Sequence, residues 1–579
     1  MTLSEAFYEV VREAPLGQLV RFFTKNRLFK YPEEQPNFKL PKPWIRIMNY
    51  ADHDITPQEK TTTSSSSSAS VSNADQEGRE ASDVHSATQP ALESKEFAEE
   101  KSTHLTPKVS HAGTILVDWY SEDDPANPHN WSDLRRGLLA LIICLYTFVV
   151  YLSSAIYTPS TEGVMEKFGV SNLKATLGLA MYVLGYGVGP LLFSPLSEIP
   201  HIGRSPVYII TLFLFVVLSI PTALVNNFPG LIVLRFLQGF FGSPCLASGG
   251  ASMSDMYSLI ALPFALIAWV AAMSCGPSLG PLISGFAVPA ENWRWSLYES
   301  IWASAPMLIA FFIFMPETSS PNILLRRAQR LRQVTGNQNL MSQSEIDQRH
   351  LTVSGIAIEA LIKPLEITLK DPAVMFVQVY SAIVYGIYYS YFEVFPLVYP
   401  VFYHMNLGQV GLVFFCIVIG CIIAIIAYGS WLYFVVTPRT KKVGMGPQEN
   451  ILLAGLPASF GPPIGLFLFA WTARASIHWI VPTIGITIYA GSVFTVLQCM
   501  FLYIPFSYPQ YAASLFAAND FFRSAFASGS ILIAHPLYQN LGIAKGTTLL
   551  GGLSAIGILG MWILFFYGAK LRARSTFAT

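Results

Sequence analysis

Charged side chains are scarce in this sequence. Asp, Glu, Lys and Arg make up 12% of the 579 residues, whereas soluble domains carry about 25%. The 36 basic and 36 acidic residues balance, so net charge does not point to nucleic acid as a partner. Because 52% of the residues are hydrophobic, lipid is the expected solvent for much of the chain.

Cysteine is also rare, and the common catalytic motifs are missing. The six cysteines lie in apolar runs without CxxC spacing, so we expect them to pack as small apolar residues and not to form disulfides or bind metal. No GxxxxGK[ST], HExxH or GxSxG motif occurs, and these carry ATP binding, zinc hydrolysis and nucleophilic catalysis. We therefore expect no enzyme, cofactor or metal, and any transport would draw on an ion gradient.

Long apolar stretches are what the sequence has in abundance. From Gly137 onward, runs of about 20 residues repeat, each long enough to cross a hydrocarbon core of ~30 Å. The longest polar interruption, 317–371, divides them six and six and predicts an all-α membrane protein with 12 transmembrane helices in two six-helix bundles. Such bundles alternate access by rocking against each other. The predicted spans are 137–157, 174–194, 205–225, 230–253, 261–287, 296–315, 373–397, 410–434, 451–471, 479–503, 511–534 and 547–567.

The remaining segments fall outside the two bundles, which we place at 131–316 and 372–568. Residues 1–50 form a basic amphipathic segment that Pro15 and Gly17 divide into two short helices. These helices would lie on the inner leaflet or pack beneath the transporter body. An acidic, Ser-rich tail over 51–130 is predicted to be disordered. A central cytoplasmic loop (317–371) and a C-terminal tail (569–579) complete the chain.

Basic residues concentrate on one side of the predicted membrane. The positive-inside rule then places both termini in the cytoplasm of a multi-pass protein. Outer loops would hold only Lys167, Lys174, Arg294, Arg474 and Lys545. Inner segments would hold Arg135, Arg136, Arg204, Arg326, Arg327, Arg330, Arg332, Lys363, Lys370, Arg439, Lys441, Lys442, Lys570, Arg572 and Arg574.

Ionisable residues inside spans are candidate functional residues, because burying them in lipid is unfavourable. Arg235 lies about five residues into the fourth span and would tune proton uptake, or would bond backbone carbonyls as a structural residue. Glu393 in the seventh span is a second candidate for proton coupling, unless it is solvated at the outer interface. Asp520 and Arg523, spaced i,i+3 in the eleventh span, are predicted to pair in a structural role.

Three charged residues are predicted on the inner side of the membrane, where the second span ends, the third begins and the fourth ends. Glu198, Arg204 and Asp255 are predicted to form a charge cluster that latches the inner gate. The alternative is a surface ion pair, which contributes only about 0–1 kcal/mol.

Span five combines glycine and proline in the stretch Gly276, Pro277, Gly280 and Pro281. The glycines would allow close helix approach and the prolines would bend the helix, which predicts a sealing contact between the bundles. The predicted substrate cavity is apolar with a few polar tips. Its candidate residues are Tyr157, Gln238, Tyr388, Tyr389 and Tyr391. Tyrosine is also enriched at membrane interfaces, which explains several of them without a ligand.

Several motifs together resemble one known family over nearly the whole chain. The motifs are Tyr31–Glu34, Asp124–Pro128, Ser154–Pro159, Gly185–Glu198, Arg235–Gly239, Gly249–Asp255, Gly276–Pro281, Asn292–Trp295, Pro316–Thr318 and Lys570–Ser575. They are similar to those of the fungal twelve-span drug:proton antiporters of the major facilitator superfamily, in particular the yeast multidrug facilitators that confer azole and benomyl resistance.

The resemblance implies roles for these residues. Glu198, Gly203 and Arg204 match the family's loop motif, with Asp255 as its partner. Arg235 and Gly239 match the motif of the proton-coupling arginine, and Gly276, Pro277, Gly280 and Pro281 match the antiporter motif. Two positions depart from the pattern: Glu198 precedes Gly203 by five residues, where the superfamily has Asp three residues before, and Ala272 stands where Gly is usual.

The sequence thus favours a plasma-membrane antiporter that exports hydrophobic drugs in exchange for protons, surrounded by lipid and monomeric. One rival is a proton-coupled transporter of a native metabolite such as a polyamine. Another is a non-transporting nutrient sensor, against which the short C-terminal tail argues.

Overall fold

Helices account for nearly all of the described structure. The computed structural model describes residues 3–36, 38–41, 43–45, 108, 114–348, 362–363, 365–444, 446–508 and 512–575. In chain order the helices are α1 (Leu3–Glu13), α2 (Pro15–Phe23), α3 (Asp133–Ala155), α4 (Thr161–Phe168), α5 (Asn172–Glu198), α6 (Arg204–Leu224), α7 (Phe228–Gly242), α8 (Pro244–Met256), α9 (Leu262–Ala290), α10 (Trp295–Phe314), α11 (Ser320–Thr335), α12 (Gln343–Gln348), α13 (Pro372–Tyr403), α14 (Leu407–Trp431), α15 (Thr437–Val443), α16 (Gly455–Ala458), α17 (Gly461–Thr472), α18 (Ile480–Ser507) and α19 (Ala512–Arg572).

The predicted spans are present as helices. Within the described ranges, eleven helical stretches are long and apolar enough to cross a membrane. Ten correspond one by one to the first ten predicted spans, and the eleventh, Ser514–Arg572, contains the last two. Gly542 interrupts it with a left-handed φ of +75°, which glycine adopts without steric penalty. The all-α fold with two six-helix halves is therefore confirmed.

Two spans are less regular than their hydrophobicity suggests. The fourth breaks between α7 and α8 at Ser243, because Pro244 cannot donate to the preceding turn. The eighth continues from α14 through a π-helical turn, Leu432–Val436, into α15, so it extends beyond the predicted 410–434. Such turns insert an extra residue into the hydrogen-bonding pattern.

The two halves touch through a few helix pairs. The N-terminal half contains α3–α10 and the C-terminal half α13–α19, and they meet mainly where α5 packs on α19 and α9 on α14. Near one end of the contact between the halves, Ser528 Oγ of α19 donates to the Ala180 carbonyl of α5 over 2.9 Å. Near the other end, Gln498 Nε2 of α18 donates to the Pro263 carbonyl of α9 over 3.2 Å. The halves are thus in contact towards both ends.

Part of the predicted disordered tail is ordered. Strand β1 (Ile115–Val117) pairs in parallel with β2 (Leu340–Ser342) of the central loop, with Ile115 opposite Leu340. The predicted disorder over 51–130 is therefore wrong for 114–130, because these residues bury apolar side chains against α11. Residues 51–107 and 109–113 lie outside the described residues.

The ordered tail and the central loop are joined by charge. Arg327 of α11 is 3% exposed, and its two terminal nitrogens, Nη1 and Nη2, donate to the Asp124 carboxylate over 2.6 and 3.2 Å. Its Nε also lies 3.4 Å from a Glu33 carboxylate oxygen. Burial by itself would raise the pKa of Asp124, but the hydrogen bonds and charge of Arg327 outweigh it, so the pKa lies below its usual value. We call the end of the molecule that carries these segments the loop face.

The two short N-terminal helices are present as predicted, with Pro15 at the start of α2. Helix α2 contacts α10, and Glu9 of α1 lies 3.9 Å from Arg135 of α3. Phe22 and Phe23 remain 77% and 73% exposed. The segment therefore packs on the transporter body, which is one of the two arrangements considered from the sequence, and it leaves these two aromatic side chains exposed.

Candidate functional site

Arg235 lies inside the N-terminal half. Asn227 caps the start of α7 by accepting a hydrogen bond from the Gly230 amide, and two turns of helix carry Arg235 to the interior, where it is 0% exposed. Its guanidinium donates hydrogen bonds to three backbone carbonyl oxygens and to one side-chain amide oxygen. These acceptors are Gly178 O at 3.0 Å, Ser153 O at 3.0 Å, Ser154 O at 2.9 Å and Gln238 Oε1 at 3.1 Å.

Aromatic rings complete the surroundings of Arg235. The guanidinium lies 4.3 Å from the Tyr182 ring centre and 5.2 Å from that of Tyr157, both within the range of cation–π attraction. Among the described residues, no carboxylate forms an ion pair with Arg235. Because an arginine guanidinium stays protonated in proteins, Arg235 holds a positive charge inside the N-terminal half that no described carboxylate pairs with.

Gln238 and Tyr157 therefore belong to the Arg235 environment. Gln238 donates to Ser219 Oγ over 2.7 Å, and the Tyr157 hydroxyl donates to the Ala175 carbonyl over 2.9 Å. Both side chains are buried within the N-terminal half. They orient Arg235 and its neighbours and do not face the C-terminal half.

Arg204 and Asp255 form a direct pair at the loop face. Arg204 Nε lies 2.6 Å and Nη2 3.2 Å from the two carboxylate oxygens of Asp255. The Thr318 hydroxyl also donates to Asp255, over 3.2 Å. Glu198, in contrast, is exposed and forms no ion pair or hydrogen bond among the described residues. It influences the Arg204–Asp255 pair only through longer-range electrostatics.

Glu317 is a residue of this cluster whose role was not predicted. It follows α10, and its carboxylate accepts from the Arg204 amide at 3.0 Å and the Ser205 amide at 3.2 Å, capping the start of α6. A carboxylate is favoured at the positive end of a helix. Burial raises the pKa of Glu317, and the backbone donors oppose this rise. The sequence signal that could have indicated a role for Glu317 is its place in the motif Pro316–Thr318, which directly follows a predicted span.

The glycines of α9 contact their own half. A Cβ on Gly276 would lie 2.8 Å from the Phe148 carbonyl oxygen, and one on Gly280 would lie 2.6 Å from the Ile156 amide nitrogen, both in or next to α3. The carbonyl of Pro281 instead faces Gly411 of α14, in the other half. The geometry thus differs from the predicted seal: the glycines bring α3 close, while Pro281 lies at the contact between halves.

The α13 tyrosines separate into two groups. Tyr389 OH lies 3.0 Å from Ser154 Oγ, and Tyr388 OH lies 2.8 Å from Ser278 Oγ, so both reach the N-terminal half. Tyr391 points into the C-terminal half, 5.3 Å from the ring centre of Tyr489. The five predicted cavity residues therefore occupy three places in this structure, and Ser154 connects two of them because its carbonyl accepts from Arg235 and its hydroxyl contacts Tyr389.

Glu393 lies on α13 and is 9% exposed. Within the described part of the chain, its carboxylate has no ion-pair or hydrogen-bond partner. It is therefore not brought together with Arg235 by any direct contact.

Asp520 and Arg523 pair as their spacing predicts, but their location could not be read from the sequence. Arg523 Nη2 binds Asp520 Oδ1 and also donates to the Tyr151 hydroxyl over 2.8 Å. Its Nη1 lies 2.7 Å from Met273 Sδ. The pair is on α19, whereas Tyr151 and Met273 are in the N-terminal half. It is therefore a charged link across the contact between halves.

A cavity of about 640 Å³ lies between the halves at the loop face. Its walls come from the start of α9 in one half and from α14, α15 and α18 in the other. Apolar and aromatic side chains predominate among them, including Pro263, Phe264, Tyr428, Trp431, Leu502 and Phe506. Ligand cavities of this size suit small organic molecules.

Comparison with known proteins agrees with this architecture. The family model of the Major Facilitator Superfamily matches residues 143–532, and the chain belongs to this family. It is 42% identical over 571 residues to "MFS-type transporter pyvG" of Aspergillus violaceofuscus, covering 98% of this chain and 99% of that protein. It is 39% identical to "Fluconazole resistance protein 1" of Saccharomyces cerevisiae, covering 80% and 84%.

The fold also matches a solved structure. The proton:xylose symporter XylE aligns with a TM-score of 0.55 at 13% identity, over 75% of this chain and 97% of that one. The protein is thus a multi-pass membrane transporter of the Major Facilitator Superfamily and not an enzyme.

Proposed function

We propose that this transporter exports hydrophobic drugs and other xenobiotics, including azoles and benomyl-like compounds, across the plasma membrane. The observation that carries the proposal is the apolar cavity shared by both halves, in a chain related to a yeast fluconazole resistance protein. An apolar cavity with few charged groups suits neutral or weakly polar molecules. Substrates would enter it from the cytoplasm or the inner leaflet, with both termini cytoplasmic and the transporter working as a monomer in lipid.

Proton movement down its gradient is the proposed source of energy. Arg235 holds a fixed positive charge in the N-terminal half, and Glu393 offers a carboxylate that is buried and unpaired among the described residues. Proton binding near these groups in the outward-facing state would remove a buried negative charge and favour the inward-facing state. Drug would then bind, and proton release would reset the cycle. The Arg204–Asp255 pair joins α6 to α8, so it would hold the loop face of the N-terminal half together as the halves move.

The test uses Arg235→Ala in a yeast strain that lacks its own drug pumps. We expect fluconazole efflux to fall to the level of the empty strain at normal surface expression, because the variant removes the fixed charge. Arg474→Ala is the matched control, since Arg474 is exposed. A protonophore should abolish efflux in the wild type. Persistent efflux by the Arg235 variant would exclude the coupling role.

A native metabolite such as a polyamine is a second candidate substrate. The unpaired Glu393 carboxylate favours it, because a cationic amine is attracted to a buried carboxylate. Efflux of labelled spermidine that stops with the protonophore, in cells whose drug susceptibility is unchanged by the transporter, would favour this candidate over drug export.

A further inference from the structure

The Asp520–Arg523 pair is buried at the contact between the two halves. Both side chains are about 2% exposed. On the side of the N-terminal half, Arg523 reaches Tyr151 of α3 and Met273 of α9. On the side of the C-terminal half, its guanidinium lies 4.4 Å from the ring centre of Tyr385. One side chain of α19 therefore joins elements that must separate if the halves rock.

This pair is incompletely satisfied. Asp520 Oδ2 and Arg523 Nε are both buried without a hydrogen-bond partner. A buried ion pair retained for stability alone would need its remaining donors and acceptors filled, because desolvation otherwise exceeds the attraction between the charges. An open acceptor position on a buried carboxylate is, however, what a proton requires. The arrangement therefore fits a group that changes its charge.

The surroundings of Asp520 supply no second charge among the described residues. Helix α3 contributes Tyr151, α8 contributes Cys245 and α13 contributes Tyr385 as the titratable groups near the pair. Helix α5 packs Gly187 against the Asp520 backbone and Ser524, and its Tyr186 hydroxyl meets Tyr385. Met273 of α9 and Phe501 of α18 are uncharged. The charge of this region thus depends on one carboxylate and one guanidinium.

We propose that Asp520 is a proton-binding residue of the transport cycle and that Arg523 is the positioning residue that transmits its charge to the contact between halves. This inference rests on the proposed proton-driven export and adds a site to Arg235 and Glu393. A proton from one side of the membrane adds to the carboxylate and neutralises it. Arg523 then carries an uncompensated charge in the interface, which separation of the halves relieves by admitting water. Release of the proton to the other side restores the pair and the contact.

The variant Asp520→Asn tests whether Asp520 binds a proton during transport, because asparagine resembles the protonated carboxyl group and cannot titrate. The full chain is reconstituted in liposomes with the membrane potential clamped, and movement of tritiated fluconazole is measured. Gradient-driven accumulation should fall about tenfold or more, while exchange without a gradient stays within about threefold and loses its pH dependence. Asp520→Glu should restore accumulation with a displaced pH midpoint. Asp123→Asn, at an exposed position, should behave as the wild type.

The outcomes separate the two proposals. If wild-type protein shows no gradient-driven movement of fluconazole, the proposed function fails whatever the variants do. If the wild type is driven but Asp520→Asn keeps the same pH profile and accumulation, the role of Asp520 is overturned. Should Asp520→Asn fail to fold, the pH profile of Asp520→Glu decides: a displaced midpoint supports the role, and an unchanged one excludes it.

Discussion

At the scale of single residues, the buried guanidinium groups differ in what they bind. Arg235 binds neutral carbonyls, Arg204 a carboxylate at the loop face, and Arg523 a carboxylate together with groups of the opposite half. An arginine among neutral acceptors has no partner that can titrate, whereas the net charge of an arginine–carboxylate pair changes when the carboxylate is protonated. These three arginines are therefore suited to different parts of a transport cycle.

The loop-face cluster gives a prediction for two of its charges. Arg204→Gln should slow fluconazole efflux about tenfold, because it leaves Asp255 partly buried without its bidentate partner. Glu198→Gln should change efflux less than about twofold, since an exposed carboxylate without a direct partner contributes little. Efflux rates in the pump-deleted strain, corrected for surface expression, measure both. If the two variants lose efflux equally, the result would contradict this difference and support the three-residue cluster predicted from the sequence.

At the scale of elements, α9 is a helix of the N-terminal half that packs on both halves of the molecule. It runs unbroken from Leu262 to Ala290 with three internal prolines, and it packs on both α3 and α14. Prolines are tolerated in membrane helices because neighbouring elements satisfy the freed backbone groups. The glycines of this helix set the distance to α3, so the position of α9 against the other half depends on them.

Gly280→Val tests that distance. Its Cβ would lie 2.6 Å from the Ile156 amide nitrogen and 2.9 Å from the Leu152 carbonyl oxygen, which are backbone atoms that cannot turn away. Overpacking of this kind costs about 1–3 kcal/mol, so the purified variant should unfold several degrees below the wild type. Gly529→Val is the control, because nothing lies within 4 Å of its added Cβ. An unchanged melting temperature for Gly280→Val would contradict the close packing of α9 on α3.

At the scale of the whole molecule, distant parts of the chain form the structure at the loop face. The tail strand β1, the Asp124 carboxylate and the central helix α11 come together through Arg327. This links the N-terminal region to the connection between the halves. A conformational change that moves one half relative to the other would have to carry this assembly with it.

The docking of β1 should weaken in acid. The pKa of Asp124 lies below its usual value when paired with Arg327, so the pair stabilises docking above the unfolded value of about 3.9 and loses this effect as pH falls through the folded pKa. Hydrogen exchange at 115–117 should accelerate as the pH is lowered below about 4, after correction for intrinsic rates. Asp124→Asn should show fast exchange at every pH. Exchange in the wild type that is independent of pH would contradict this link.

The sequence by itself determined the helical spans, their division six and six, and the burial of Arg235. It could do so because hydrophobic length and the scarcity of charge are local properties, and a membrane admits few other folds for such a chain. The pairing of Asp520 with Arg523 was equally accessible, since residues three apart share a helix face.

Only the tertiary structure decided which surfaces these residues share. It placed Asp520 and Arg523 between the halves, turned Gly276 and Gly280 towards α3, and separated Tyr391 from Tyr388 and Tyr389. It also gave 114–130 an ordered place beside α11. The physical reason is that contacts between residues far apart in the chain depend on how the helices are rotated and how they cross, and packing sets both. A membrane span is hydrophobic on nearly every side, so its apolar pattern does not encode this rotation or crossing.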